Sequence, residues 1–183
     1  MLMYLKWAAL GPASLLMAVV GRVLAPVLPF FVKDDGYLPD WLSWFQTPDN
    51  PCDGDEAHWE RHPGTDAWNT YKRRVAWFWR NVAYGFDMSV CGAKCRPTDE
   101  LLFEGDDETG AKPIHTGYEW RLLKRNGKPI YFQFYCVRQW PFWKSRCLRI
   151  NLGWKLWDFP DKYLTCQWTG SINPFFGAEE AEE

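Results

Sequence analysis

A chain of 183 residues with 21 Lys and Arg against 23 Asp and Glu has a formal charge of -2, which argues against the clustered, uncompensated basic charge of a nucleic-acid-binding surface. Its length supports one domain of ordinary size plus an appendage, enough to fold without a metal or a disulfide framework. Aromatic residues are the outlier at 18% of the chain, with 13 Trp, 12 Phe and 8 Tyr; such rings suit a dense core, a binding face or a membrane–water boundary.

Residues 1–33 read as an apolar helix. From Trp7 to Gly21 there is no charge, Arg22 interrupts, and Val23 to Val32 is again apolar. The run is long enough to cross a bilayer if Arg22 is tolerated, but a central Arg costs ~2.5 kcal/mol or more. Pro26 and Pro29 would also break the helix before the second run ends. Leu16, Val19, Val20, Val23, Leu24, Val27 and Leu28 recur at helical spacing and make an apolar face. A segment lying in the membrane interface, or packing on a partner, therefore explains Arg22 better than a clean span. A buried helix of a soluble fold and a cleaved signal peptide are the weaker alternatives, the second because the small residue Ala25 precedes Pro26. Removing residues 1–32 is expected to leave a soluble, folded domain.

Residues 34–65 form a turn-rich linker. Asp40 is placed to cap a short helical turn carrying Trp41, Leu42, Trp44 and Phe45, and Pro48, Asn50-Pro51 and Asp53-Gly54 are successive turn signals. A Trp-rich α+β domain follows over residues 66–176. Asp66 is the expected N-cap of a central helix from Ala67 to about Tyr84, with Tyr71, Val75, Phe78 and Val82 as its apolar stripe and Gly85 as its stop. Arg73, Arg74 and Arg80 read as its solvated face. Trp41, Trp44, Phe45, Trp77 and Trp79 are the expected interaction residues. Asp99 to Lys112 reads as a mobile acidic loop.

The C-terminal third has the clearest pattern. Tyr118–Arg125, Asn126-Gly127 and Lys128–Gln139 spell a hairpin, since Asn-Gly accepts the positive φ angles of a type I′ turn. A turn at Trp140-Pro141 leads to a strand over 146–157, in which Leu148, Ile150, Leu152 and Trp154 face away from Cys147, Arg149 and Asn151. Phe159-Pro160-Asp161 then turns into a fourth strand over 162–168. The expected fold class is α+β: an N-terminal apolar helix, one central helix and an antiparallel meander of about four strands with one apolar and one wetter face. Residues 177–183 should be a disordered acidic tail.

No constellation of catalytic residues is complete. The six cysteines are expected to be free thiols, because Cys91 and Cys95 have no second close pair with which to build a zinc site. His58 and His62 keep the H-x3-H spacing of a metal-binding helix, but Glu60 is one place too late for the metalloprotease pattern. With Asp49, Asp53 and Asp55 upstream they are the candidate metal ligands, although turn chemistry accounts for the same residues. There is no nucleophile elbow and no phosphate loop. Neither an enzyme activity nor a cofactor is expected.

The stretches WLSWFQTPDNPCDGD, RVAWFWRNVAYGF, INLGWKL and INPFF resemble a family of uncharacterised small proteins of tailed bacteriophages. The resemblance runs from the N-terminus to Phe176 through several short motifs. It implies a phage origin and a bacterial host, and no activity. With the apolar N-terminus, it leads to the expectation of a non-enzymatic protein that binds a host or phage protein at the cytoplasmic face of the host inner membrane, in exclusion or lysis. A virion structural or tail component packed through its N-terminal helix and aromatic faces is the first alternative, and a metal-dependent hydrolase using the Asp/His loop is the second. The expected partners are a protein and the membrane surface, with a second copy of the chain as a further candidate and no nucleic acid.

Overall fold

Five antiparallel strands make the main sheet of the computed structural model, which describes residues 1–111, 114–160 and 164–177. The strands in chain order are β1 (Ala93–Lys94), β2 (Glu100–Gly105), β3 (Gly117–Arg125), β4 (Lys128–Trp140), β5 (Trp143–Trp154), β6 (Thr165–Cys166) and β7 (Trp168–Gly177). The large sheet runs β2-β3-β4-β5-β7, and β1 pairs separately with β6. With α1 (Leu2–Leu24), α2 (Glu56–Arg61), α3 (Ala67–Arg80) and α4 (Tyr84–Ser89), the class is α+β. The chain divides into two compact units, one of Met1–Ala9 with the chain from Gly92 on, the other of Leu10–Cys91.

In the sheet unit the hairpin forms where the Asn-Gly pair places it, with Asn126 and Gly127 at φ 52° and 73°. Three features differ from the pattern read along the chain. The segment expected as an acidic loop contains β2, which pairs with β3 from Glu100↔Lys124 to Gly105↔Glu119; its charged residues suit an exposed sheet edge. Asp99, just before it, is buried and held by both arms of the Arg125 guanidinium at 2.8 and 2.7 Å. The fourth strand of the meander is β7, which continues past the expected end at residue 168, whereas Thr165–Cys166 turns away to β1. Of the expected strand over 162–168, residues 162 and 163 lie outside the described residues.

The face expected to be wetter is also covered. Glu119, Gln133, Asn151 and Thr169 are all buried on it. The short 3-10 helix Leu156–Asp158 folds back there, with the Gln133 Oε1 accepting from Leu156 N–H at 2.7 Å and Trp157 N–H at 3.2 Å. On the other face the start of α1 is docked. Trp7 Nε1 donates to the Thr169 carbonyl at 2.8 Å, Trp168 Nε1 donates to the Trp7 carbonyl at 3.1 Å, and the two indoles stack at 5.9 Å. Tyr4 adds an aromatic contact to Phe132 at 4.7 Å.

The helical unit is built around α3. Asp66 caps it as its position predicts, accepting from Trp68 N–H at 3.1 Å and Asn69 N–H at 3.0 Å. The helix ends at Arg80, earlier than expected, and Ala83 takes a left-handed φ of 54° before α4 begins. Gly85 therefore does not stop the helix. It lies inside α4, where a side chain would run into the Ser43 carbonyl of the 3-10 helix Asp40–Phe45. Close approach of two backbones is what requires glycine here. The segment expected as a linker supplies Leu38, Leu42, Phe45 and Cys52 to the core beside Trp77 and Phe78. Ala25 and Leu28 belong to the same core. Residues 1–32 are thus part of the packing of both units, contrary to the expectation that they could be removed.

Candidate functional site

Within the helical unit α1 turns its small residues inward. Ser14, Gly21 and Ala25 are buried, and Met17, Val20 and Leu24 pack partly against the core. The large apolar residues Leu15, Leu16, Val19 and Val23 point to the surface, Leu15 and Val23 at 67% and 72% exposure. The expected apolar face therefore divides: Val20, Leu24 and Leu28 go inward, while Leu16, Val19, Val23 and Val27 go outward. Single exposed apolar residues are ordinary in soluble proteins, but a continuous outward set with small residues facing in is not. The helix is long and apolar enough to cross a membrane by length and composition.

The five expected interaction residues separate by exposure. Trp41, Trp44 and Trp79 are exposed, whereas Phe45 and Trp77 are core residues. The five candidate metal ligands also separate. Asp55 and His58 meet at 2.5 Å, and Arg80 takes the other oxygen of Asp55. Asp53 is taken by Arg74 Nε at 2.7 Å. His62 is joined to neither. Among the described residues no group of three or more His, Cys, Asp or Glu side chains is placed to hold a metal. Partial desolvation opposes ionisation of Asp55, but the hydrogen bonds from His58 and Arg80 outweigh it and bring the carboxyl down to about 2.

Arg73, expected on the solvated face, is buried. Its Nη1 donates to the carbonyls of His62 and Gly64, and its Nη2 donates to Thr70 Oγ1 at 3.2 Å. The guanidinium stacks 3.5 Å from the centre of the Trp59 ring. A buried cation tied to carbonyls in this way fixes the end of α2 and the turn after it against α3.

That clamp leaves a cleft of about 580 Å³ between α2 and α3. Its polar lining is basic: His58, Arg61, His62, Lys72 and Arg80. Ala57, Val75, Ala76 and Trp79 supply the apolar lining, and no carboxylate lines it. His58 and Arg80 are engaged by Asp55, but Arg61 and Lys72 have no ion-pair partner among the described residues. His62 is pushed below the ordinary histidine value, first by desolvation and then by Lys72, Arg61, Arg73 and His58. The sequence marks the arginines of α3 but not Arg61 and Lys72, because no motif signals two cations eleven residues apart (61 to 72).

Tyr71 connects the cleft to the end of the apolar segment. It lines the cleft and also a second hollow of about 280 Å³ with Pro29 and Phe30. Its hydroxyl donates to the Pro26 carbonyl at 3.1 Å, and its ring lies 5.6 Å from that of Phe30. On its other side Trp68, itself exposed, stacks on it at 5.5 Å.

Over residues 1–179 the chain matches a family of unknown function (DUF7338), and it belongs to that family. No curated protein and no solved structure matches it.

Proposed function

We propose that this family member is a non-enzymatic binding protein that works on a membrane surface, seated by the outward face of α1. The observation that carries the reading is the inversion along that helix, with Ser14, Gly21 and Ala25 inside and Leu15, Leu16, Val19 and Val23 outside. In water this arrangement wastes the larger apolar side chains, at roughly 25 cal/mol for each Å² left exposed. Against lipid it does not. The helix lies in the interface rather than crossing it. Its first residues are docked on the sheet, and the 15 residues from Leu10 to Leu24 (24 less 9) reach only ~22 Å at 1.5 Å per residue, short of a hydrocarbon core of about 30 Å. The resemblance to phage proteins supports a bacterial inner membrane, reached from the cytoplasm, with a host or phage protein as the bound partner. Trp41 and Trp44, exposed beside that core, are the surface offered to it.

Co-sedimentation of the full chain with phosphatidylcholine vesicles tests the reading. The intact protein should pellet with the vesicles, and a Leu16→Ser/Val23→Ser variant should stay in the supernatant while keeping its fold. A full chain that remains soluble, monomeric and free of vesicles would refute it. A chain that avoids vesicles but self-associates through the same face would move the assignment to the virion alternative.

A further inference from the structure

The cleft between α2 and α3 combines three properties that a soluble anion site does not need together. It carries two cations of different kinds, a guanidinium on Arg61 and an ammonium on Lys72, that have no ion-pair partner among the described residues. Four of its ten lining residues are apolar: Ala57, Val75, Ala76 and the exposed Trp79. Tyr71, on its lining, also bonds to Pro26 and packs on Phe30, where the apolar segment ends. A bare phosphate would use the first property and gain nothing from the others. We propose that this cleft binds the phosphate headgroup of an anionic phospholipid, with Arg61 and Lys72 on the headgroup and the apolar wall leading its acyl chains toward Phe30.

The physical chemistry agrees at each point. Arg presents a planar fork that matches two phosphate oxygens, while Lys acts as a point charge. The volume of about 580 Å³ falls within the usual ligand-pocket range of roughly 300–1,000 Å³. Tyr71 and Trp79 line the cleft, and Trp68 stacks on Tyr71 beside it; such rings can keep one end wet and the other apolar, as at headgroup depth in a bilayer. Lys72 Nζ lies 5.8 Å from the centre of the Trp68 ring, a contact that orders the side chain beside the cleft. Basic residues at a membrane surface strengthen binding to anionic lipid in proportion to their number.

This inference rests on the membrane reading of α1, and the test separates the two. The probes are vesicles of pure phosphatidylcholine, vesicles of equal parts phosphatidylcholine and phosphatidylglycerol, and inorganic phosphate without membrane. The full chain should bind the mixed vesicles about tenfold more tightly than the neutral ones. An Arg61→Gln/Lys72→Gln variant should lose most of that preference while its melting temperature and its binding to neutral vesicles stay unchanged. A Lys128→Gln/Lys144→Gln variant, with the same change of charge on the sheet unit, should keep it. Inorganic phosphate, followed by intrinsic fluorescence, should bind at least about tenfold more weakly than the mixed vesicles. Equal binding to both vesicle types would overturn the headgroup site and leave the membrane reading standing. Loss of the preference in both variants alike would reduce it to diffuse surface charge, and equal affinity for inorganic phosphate would make the cleft a free-anion site. Binding to neither vesicle would sink both proposals.

Discussion

The first eight residues of α1 and the fifteen after them share one helix and one apolar composition, yet they bury different things. Near the start the large side chains are the anchors: Met3 is buried, and Trp7 is stacked on Trp168 with both indole N–H groups bonded to carbonyls. Further on the small residues are the anchors, and Leu15, Leu16, Val19 and Val23 face outward. The difference follows from what each stretch packs against. A pleated sheet leaves room for a whole indole over its surface, whereas a helix approaching a core that already holds Phe45, Trp77 and Phe78 fully buries Ser14 and Gly21 and only partly buries Met17, Val20 and Leu24. At Gly21 an added Cβ would meet the Phe45 ring at 3.4 Å, close to ordinary contact.

Substitutions on the two stretches should break the comparison unequally. Trp7→Ala removes a half-buried indole and the donor to Thr169, and should lower stability by about 3 kcal/mol in urea unfolding; a loss below about 0.5 kcal/mol would mean the helix start is not docked. Ala25→Leu forces a larger side chain into a filled core and should cost about 2 kcal/mol. If it were neutral or stabilising, the inward face of small residues would not be close-packed.

The acid limb of stability gives a smaller effect, confined to the helical unit. The Asp55 carboxyl is depressed from 3.8 to about 2 by His58 and Arg80, so its contribution is full above its unfolded value and is lost as pH falls through its folded value. The fall in melting temperature between about pH 5 and about pH 2 should therefore be shallower in Asp55→Asn than in the parent. Identical slopes would remove the Asp55–His58–Arg80 cluster from the account. The smallest effect belongs to the outward face. Leu16→Ser and Val23→Ser should each change stability in water by about 0.5 kcal/mol or less, because in water those side chains are already exposed. A large loss from either would place that face in a core.

Features written in local chemistry were legible. The Asp66 cap and the Asn126-Gly127 turn could be read because a carboxylate before a helix and a pair that tolerates positive φ act within a few residues of themselves. Strand β2 was not legible: Glu100 and Glu104 lower its apparent propensity, and its pairing with Leu122–Lys124 lies about twenty residues away in the chain. Strand β7 was hidden for a related reason, since its Pro174 and Gly170 weaken the strand pattern and only the register against β5 orders it. Arg73 looked like any other arginine of a basic helix, and nothing nearby in sequence announced that the carbonyls of His62 and Gly64 would enclose it.

By itself the sequence determined the class of fold, the central helix with its cap, the hairpin and the presence of an apolar segment at the N-terminus. All of these follow from periodicity and turn residues, which act over a few residues. The tertiary structure alone decided which side of that segment is inside, which of the tryptophans are exposed, and that Arg61 and Lys72 share one cleft without a carboxylate. Those outcomes depend on excluded volume and on charges brought together from separate elements, and a linear pattern carries neither.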